Sequence, residues 1–227
     1  MTDSGIRFTG YEVTASNEEE HTENVLIHTN QGDVAGLFYR ASDSEAAVLW
    51  AGSWRGNGQA SPIARSVAQD LLKEGVSSLL LRYRRLGELP PCIRDTEAGI
   101  SFLNDIGIRR IALVGHSFSG AVVISVAPLS QAVVAVVALA SQTYGAATVR
   151  HVSPRPLLLV HGTADERLDP YCSEQIYSWA RKPKELYFME GASHGLWDAR
   201  DDLLPLLRVW LADKLRQPGQ TKGHPEG

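Results

Sequence analysis

Apolar residues in this chain are concentrated in short runs that are separated by polar and glycine-containing segments. Runs rich in Val, Ile and Leu and bounded by turn-forming residues are typical of strands. They occupy residues 25–29, 34–40, 47–52, 76–83, 110–115, 133–140, 156–162 and 185–190.

Between these runs, apolar positions recur with helical spacing. Ser61-Pro62 is a typical helix start, and Gly75 lies where a helix commonly stops. The spacing predicts helices over 62–73, 93–105, 118–127, 169–181 and 203–215.

The central runs are continuously apolar, as strands covered on both faces should be. Alternation of such strands with helices favours right-handed crossovers and a parallel sheet. The first two long runs are separated by Gln31-Gly32-Asp33, which predicts a hairpin turn. We therefore expect a three-layer α/β/α sandwich, mostly parallel, with an antiparallel N-terminal hairpin at one edge.

Polar segments flank this alternating region at both ends. Residues 1–22 are polar and include Glu18-Glu19-Glu20, which predicts a flexible N-terminal arm. Residues 217–227 have the composition of a disordered tail. A single domain over 23–216 is expected between them.

Composition excludes several function classes. The 227 residues carry a formal net charge of −4, so a basic nucleic-acid-binding face is not expected. The two cysteines, Cys92 and Cys172, form neither a CxxC motif nor a Cys/His cluster, which predicts no disulfide framework, no metal site and a cytoplasmic location. The apolar stretch 121–140 is interrupted by Pro128, Ser130 and Gln131, so no membrane span is expected.

One sequence carries the sharpest chemical signal. Gly115-His116-Ser117-Phe118-Ser119-Gly120 follows a predicted strand and opens a predicted helix. A nucleophilic serine needs this strand-to-helix turn, because the turn raises its hydroxyl above the edge of the sheet. The helix N-terminus also brings backbone N–H groups, especially that of Phe118, close to an oxyanion.

Two further polar residues follow other strands. Asp165 lies beyond the strand that ends at His161-Gly162, and His194 lies on the loop after the last strand. The carboxyl ends of parallel strands meet at one edge of a sheet. The chain order Ser, Asp, His is that of a known hydrolase triad.

Over residues 24–216 the chain resembles the α/β-hydrolase superfamily, and most of all its small, capless dienelactone-hydrolase or esterase members. The resemblance rests on GHSFSG, HGTADERL and GASHGLW, with support from LLLRYRRLGE at 79–88 and AGSW at 51–54. It implies that Ser117 is the nucleophile, His194 the base and Asp165 the acid. It further implies an oxyanion hole made by the backbone N–H of Phe118 and that of Ser53 or Trp54.

Three positions depart from the family pattern. Residue 119 is Ser rather than Gly, Ala51-Gly52 stands where many members have His-Gly, and the nucleophile is Ser rather than the Cys of dienelactone hydrolases proper. The dienelactone substrate is therefore not carried over.

Simpler interpretations compete at several of these positions. Ser117 could cap a helix, as serines often do. Asp169 is a second candidate acid, but its place before Pro170 predicts helix capping. His116 and His161 each adjoin a glycine at a strand end, which predicts structural roles.

These features favour a serine hydrolase that cleaves small or medium carboxylic esters. Only 15 residues, Ser141 to Arg155, separate the strands between which a helical cap could be inserted, so an open site is expected. No cofactor is implied, the expected partner is a small-molecule ester, and the chain could be a monomer or a homodimer. An acyltransferase, thioesterase or peptidase on the same triad, or a non-catalytic binding protein, are the alternatives. The expected substrate contacts are Trp54, Phe118, Tyr144, Leu168 and Trp197.

Overall fold

A nine-stranded sheet forms the centre of the computed structural model, which describes residues 5–54 and 59–216. Its strands are β1 (Phe8–Asn17), β2 (Thr22–Thr29), β3 (Val34–Tyr39), β4 (Ala46–Ala51), β5 (Ser77–Leu81), β6 (Arg110–His116), β7 (Val133–Leu139), β8 (Leu157–Gly162) and β9 (Lys184–Met189). In space they follow the order β1-β2-β3-β5-β4-β6-β7-β8-β9.

Strand directions divide the sheet into two parts. From β5 across to β9 every neighbouring pair is parallel. β1, β2 and β3 pair antiparallel with one another, and β3 pairs antiparallel with β5. The expected mostly parallel sheet with an antiparallel N-terminal edge is confirmed.

Helices cover both faces of the sheet. They are α1 (Pro62–Lys73), α2 (Leu89–Asp105), α3 (Phe118–Val126), α4 (Tyr171–Trp179) and α5 (Arg200–Leu215), with short 3-10 helices at Ala127–Leu129, Ala147–His151 and Trp197–Ala199. One apolar layer lies under α2, α3 and α4, and the other lies under α1 and α5. The predicted three-layer sandwich is therefore confirmed.

Two helices begin earlier than their apolar spacing predicts. α2 begins at Leu89 rather than at residue 93, with Pro90-Pro91 in its first turn. The first turn tolerates proline, because backbone N–H groups there have no partner within the helix. α5 begins at Arg200 rather than at residue 203, with acidic Asp201 and Asp202 in its first turn, where they interact favourably with the helix dipole.

The N-terminal segment differs from the flexible arm expected over 1–22. Residues 8–17 form β1, which pairs along its length with β2. Most of its side chains are exposed on both faces, so the segment has no alternating apolar pattern. The segment is held instead by backbone pairing with β2. Tyr11 also makes an edge-to-face contact with Phe102, at 4.8 Å between ring centroids. The tail predicted at 217–227 lies outside the described residues.

Within the described part of the chain, none of the helices combines the length and the apolarity that crossing a bilayer requires.

Candidate active site

Ser117 occupies a strained turn between β6 and α3. Its φ of 57° and ψ of −120° lie in a region that non-glycine residues rarely adopt, at a cost of about 1–3 kcal/mol. The Ser117 N–H donates to the Leu139 carbonyl at 2.8 Å, and the Ser117 carbonyl accepts from the Gly120 N–H at 3.0 Å. A Cβ on Gly115 would lie 2.1 Å from the Ser119 carbonyl oxygen, so the turn requires glycine at 115.

Three of the predicted site residues meet at this turn. His194 Nε2 lies 3.0 Å from Ser117 Oγ, and His194 Nδ1 lies 2.7 Å from Asp165 Oδ2. The His194 side chain is 9% exposed and that of Asp165 is fully buried. The structure thus brings together a hydroxyl, an imidazole and a carboxylate that follow three different strands, β6, β9 and β8.

Asp165 is surrounded by hydrogen-bond donors. Its Oδ1 accepts from the backbone N–H groups of Arg167 and Leu168 at 2.8 and 2.9 Å. Burial alone raises the pKa of Asp165, but hydrogen bonds from Leu168, His194 and Arg167 outweigh it and lower that pKa overall. The side chain is therefore a carboxylate at neutral pH and holds the hydrogen of His194 on Nδ1, leaving Nε2 free to accept.

His116 supports the loop that carries the imidazole. Its Nε2–H donates to the His194 carbonyl at 2.7 Å, and the two rings lie 4.8 Å apart. The residue is exposed at the protein surface, while desolvation of its ring lowers the pKa of His116 to about 4. A structural role for His116, as the sequence suggests, agrees with these contacts.

The competing acid, Asp169, lies at the start of α4. Its Oδ1 accepts from the Tyr171 backbone N–H at 2.8 Å. Asp169 thus satisfies the first N–H of α4 from one residue before the N-cap, which is Pro170, and this role at the helix start is structural.

The candidate oxyanion donors differ in whether their backbone N–H groups already donate a hydrogen bond. The Ser53 N–H already donates to the Leu81 carbonyl at 3.2 Å, so this predicted donor is occupied in the structure. The backbone N–H groups of Trp54 and Phe118 have no acceptor among the described residues. The sequence could not make this distinction, because Leu81 lies on another strand. Residues 55–58 of the same loop lie outside the described residues.

A cavity of about 460 Å³ opens beside His194. Its walls come from the loop after β4, the start of α1, the ends of β6 and β7, and the loop that carries Asp165. Apolar side chains form much of its lining, among them Trp50, Trp54, Ile63, Ala64, Val114 and Leu139, while Ser61, His116, Glu166 and Arg167 add polar groups.

Only one of the five predicted substrate contacts lines this cavity, namely Trp54. Phe118 packs against the apolar layer under α3 instead. Tyr144 is 73% exposed. Leu168 uses its backbone to hold Asp165 and His161, and Trp197 stacks under Arg200 at 5.5 Å. The sequence missed the other walls because they are strand ends and a helix start that meet only after folding.

The segment between β7 and β8 packs against the body of the protein. Its buried residues, Ala146, Val149 and Val152, belong to the apolar layer under α3 and α4. The Gly145 carbonyl accepts from Ser125 Oγ at 2.8 Å. These contacts agree with the expectation that no long helical cap is inserted here.

Among the residues that the structure describes, no group of three or more His, Cys, Asp or Glu is arranged to hold a metal ion.

Solved structures of other proteins share this arrangement of strands and helices. The chain superposes on dienelactone hydrolase from Anabaena variabilis with a TM-score of 0.74 and 20% identity, covering 86% of this chain and 100% of that one. It superposes on the esterase domain of a Rhodothermus marinus protein with a TM-score of 0.71 and 19% identity, covering 93% and 99%. These likenesses establish that the chain has the α/β-hydrolase fold, which is the fold that the resemblance of its motifs implies.

Sequence comparisons match only part of the chain. No family model matches the chain. It is 29% identical over 126 residues to uncharacterized protein YfhR of Escherichia coli, covering 44% of each chain. It is 44% identical over 62 residues to an uncharacterized protein of Pseudomonas aeruginosa, covering 27% of this chain and 16% of the relative. The matches thus span less than half the length of these curated relatives.

Proposed function

We propose that this protein is a serine hydrolase that cleaves small or medium carboxylic esters through an acyl-enzyme on Ser117. The observation that carries the proposal is the hydrogen-bonded series Ser117–His194–Asp165, with distances of 3.0 and 2.7 Å, built on a strained strand-to-helix turn. The fold shared with a dienelactone hydrolase and an esterase domain supports it.

In the first step, Ser117 Oγ attacks the ester carbonyl carbon while His194 Nε2 takes the hydroxyl proton. A serine hydroxyl is a poor nucleophile without such a base. The carbonyl oxygen becomes an oxyanion, which the backbone N–H groups of Phe118 and Trp54 stabilise. Losing one donor of this kind typically costs on the order of 3 kcal/mol of transition-state stabilisation.

In the second step, His194 returns the proton to the leaving alcohol oxygen as the carbon–oxygen bond breaks. Water then attacks the acyl-enzyme, with His194 again acting first as base and then as acid. The products are a carboxylic acid, the alcohol and free Ser117. Asp165 stabilises the imidazolium formed in both steps and keeps the ring oriented.

The cavity beside His194 is the proposed substrate site. Its volume of about 460 Å³ falls within the range of small-molecule sites. Its apolar walls, Trp50, Ile63, Val114 and Leu139, suit an alkyl or aryl group of the ester, and His194 is the triad residue that lines it.

Intact-mass measurement after fluorophosphonate treatment tests the nucleophile. We expect one adduct on the wild-type protein and on Ser119→Ala, which removes the neighbouring hydroxyl, and none on Ser117→Ala. An adduct that persists on Ser117→Ala would refute the assignment. A folded wild-type protein without any adduct would favour the non-catalytic binding protein.

Product analysis with a panel of esters, thioesters and peptides then tests the substrate class. We expect turnover of short esters to carboxylic acid, with Ser117→Ala inactive. Faster turnover of thioesters or peptides, or transfer of the acyl group to an added alcohol in preference to water, would replace the ester-hydrolase assignment with another reaction of the same triad.

A further inference from the structure

A second histidine lies behind the candidate triad. His161 is the penultimate residue of β8 and is fully buried. Its Nε2 lies 3.0 Å from Asp165 Oδ2, the same oxygen that His194 contacts. Its Nδ1 lies 2.7 Å from Ser173 Oγ on α4, and Ser173 is also fully buried.

The neighbours of His161 fix where its hydrogen lies. Nε2 also lies 3.0 Å from the Leu168 carbonyl oxygen, so both of its neighbours are hydrogen-bond acceptors. Nε2 therefore carries a hydrogen and donates it. In the tautomer with that single hydrogen, Nδ1 accepts from the Ser173 hydroxyl.

The two oxygens of Asp165 differ in what anchors them. Oδ1 is held by the backbone N–H groups of Arg167 and Leu168, which belong to the same loop and move with it. Oδ2 meets His194, which lies on another loop, and His161, which lies in β8, a strand paired on both sides by β7 and β9. His161 is thus the side-chain contact that ties the carboxylate to a rigid element.

We propose that His161 is a positioning residue of the candidate triad: its Nε2–H holds Asp165 Oδ2 in place for His194, and Ser173 orients the His161 ring from α4. This inference rests on the proposed function of Ser117. It goes beyond it by extending the series to Ser173–His161–Asp165–His194–Ser117.

Two substitutions at one position separate positioning from packing. His161→Gln places an amide nitrogen close to where Nε2 stands, so it can still donate to Asp165. His161→Asn reaches only to the place of Nδ1 and cannot. Both remove the buried ring and insert a buried amide, so each is the matched control of the other.

We expect His161→Asn to lower kcat by about 10- to 100-fold, because small displacements of catalytic groups cost this much. KM for a short ester should change by less than about twofold, since His161 does not line the cavity. His161→Gln should recover most of the lost kcat. Equal losses in the two variants, or wild-type kcat in His161→Asn, would overturn the proposal.

Nuclear magnetic resonance of the wild-type protein gives a readout that needs neither turnover nor a folded variant. The ring ¹⁵N shifts of His161 should place its hydrogen on Nε2, and a hydrogen on Nδ1 alone would overturn the proposal. If that hydrogen is on Nε2 but Ser117 forms no fluorophosphonate adduct, the proposed function fails while the His161–Asp165 contact stands. The two failures are therefore distinguishable.

Discussion

Replacing Asp165 with asparagine turns one carboxylate oxygen into an NH2 group and preserves the shape of the side chain. Four donors face this side chain in the structure. The N–H groups of Arg167 and Leu168 meet Oδ1 at 2.8 and 2.9 Å, and the rings of His194 and His161 meet Oδ2 at 2.7 and 3.0 Å. Whichever way the amide turns, its NH2 group faces two of these donors.

The backbone donors cannot change, so the NH2 group will face the two rings. His194 then satisfies the amide only by accepting on Nδ1, which moves its hydrogen to Nε2. In that tautomer Nε2 cannot take the proton of Ser117, 3.0 Å away. We expect kcat to fall by about 10³- to 10⁴-fold, the effect of a wrong histidine tautomer in a serine triad, or ~4–5.5 kcal/mol of activation free energy.

The assay is initial-rate hydrolysis of a chromogenic short-chain ester at neutral pH, with circular dichroism as the check on folding. Asp169→Asn is the matched control, because asparagine also caps a helix and its kcat should stay within about twofold of wild type. A folded Asp165→Asn that retains more than a tenth of the wild-type kcat would refute the role given to the carboxylate.

Three further predictions concern stability. Gly115→Ala should lower the free energy of unfolding by more than about 2 kcal/mol, the scale of an overpacked or strained site, because its Cβ would lie 2.1 Å from a backbone oxygen. Gly195→Ala, with open space around its Cβ, should change it little, and equal effects in urea titrations would contradict the close-approach argument. Asp95→Ala should cost ~3–5 kcal/mol in the same assay, because it leaves Arg84 without the fully buried carboxylate 2.6 Å away; a loss under 1 kcal/mol would show that the pair matters little. The pKa of His116 is lowered from 6.5 to about 4 by burial, so the unfolded chain binds a proton that the folded protein excludes in this window. Stability should therefore fall as pH drops from 6.5 toward 4, and a dependence unchanged in His116→Gln would refute this.

The secondary structure was predictable where burial leaves a pattern in the sequence. β4 is apolar throughout, and β8 is apolar up to His161, because helices cover both faces of the sheet there. α1 has the bounds 62–73 that its Ser61-Pro62 and Gly75 signals predict. β1 was missed because an exposed edge strand is held by backbone pairing, which leaves no alternating pattern. Its Thr, Tyr and Val content was a weak signal, and Glu18-Glu19-Glu20 obscured it.

Some features of the candidate site were likewise predictable from the sequence, and others were not. Ser117, Asp165 and His194 were predictable because each follows a strand and parallel strands end at one edge. The occupied N–H of Ser53 depends on a hydrogen bond to another strand. The cavity walls and the His161–Asp165 contact likewise depend on how elements pack, so no local motif reveals them.

The serine at position 119 departs from the family motif, and the packing around it explains why the turn accepts it. The close approaches of the turn are at Gly115 and at Gly120, where a Cβ would lie 2.5 Å from Ser141 Oγ, so residue 119 need not be glycine. The Ser119 side chain extends instead toward the loop after β4: a Cβ on Gly52 would lie 2.6 Å from Ser119 Oγ. Gly52 has a φ of +58° and lies two residues before Trp54, whose N–H has no acceptor among the described residues. A Cβ on Gly52 would also lie 2.4 Å from the Tyr83 ring. The glycine at 52 is therefore required by its positive φ and by Tyr83 and Ser119 together, and the serine at 119 packs into the space that this glycine leaves open.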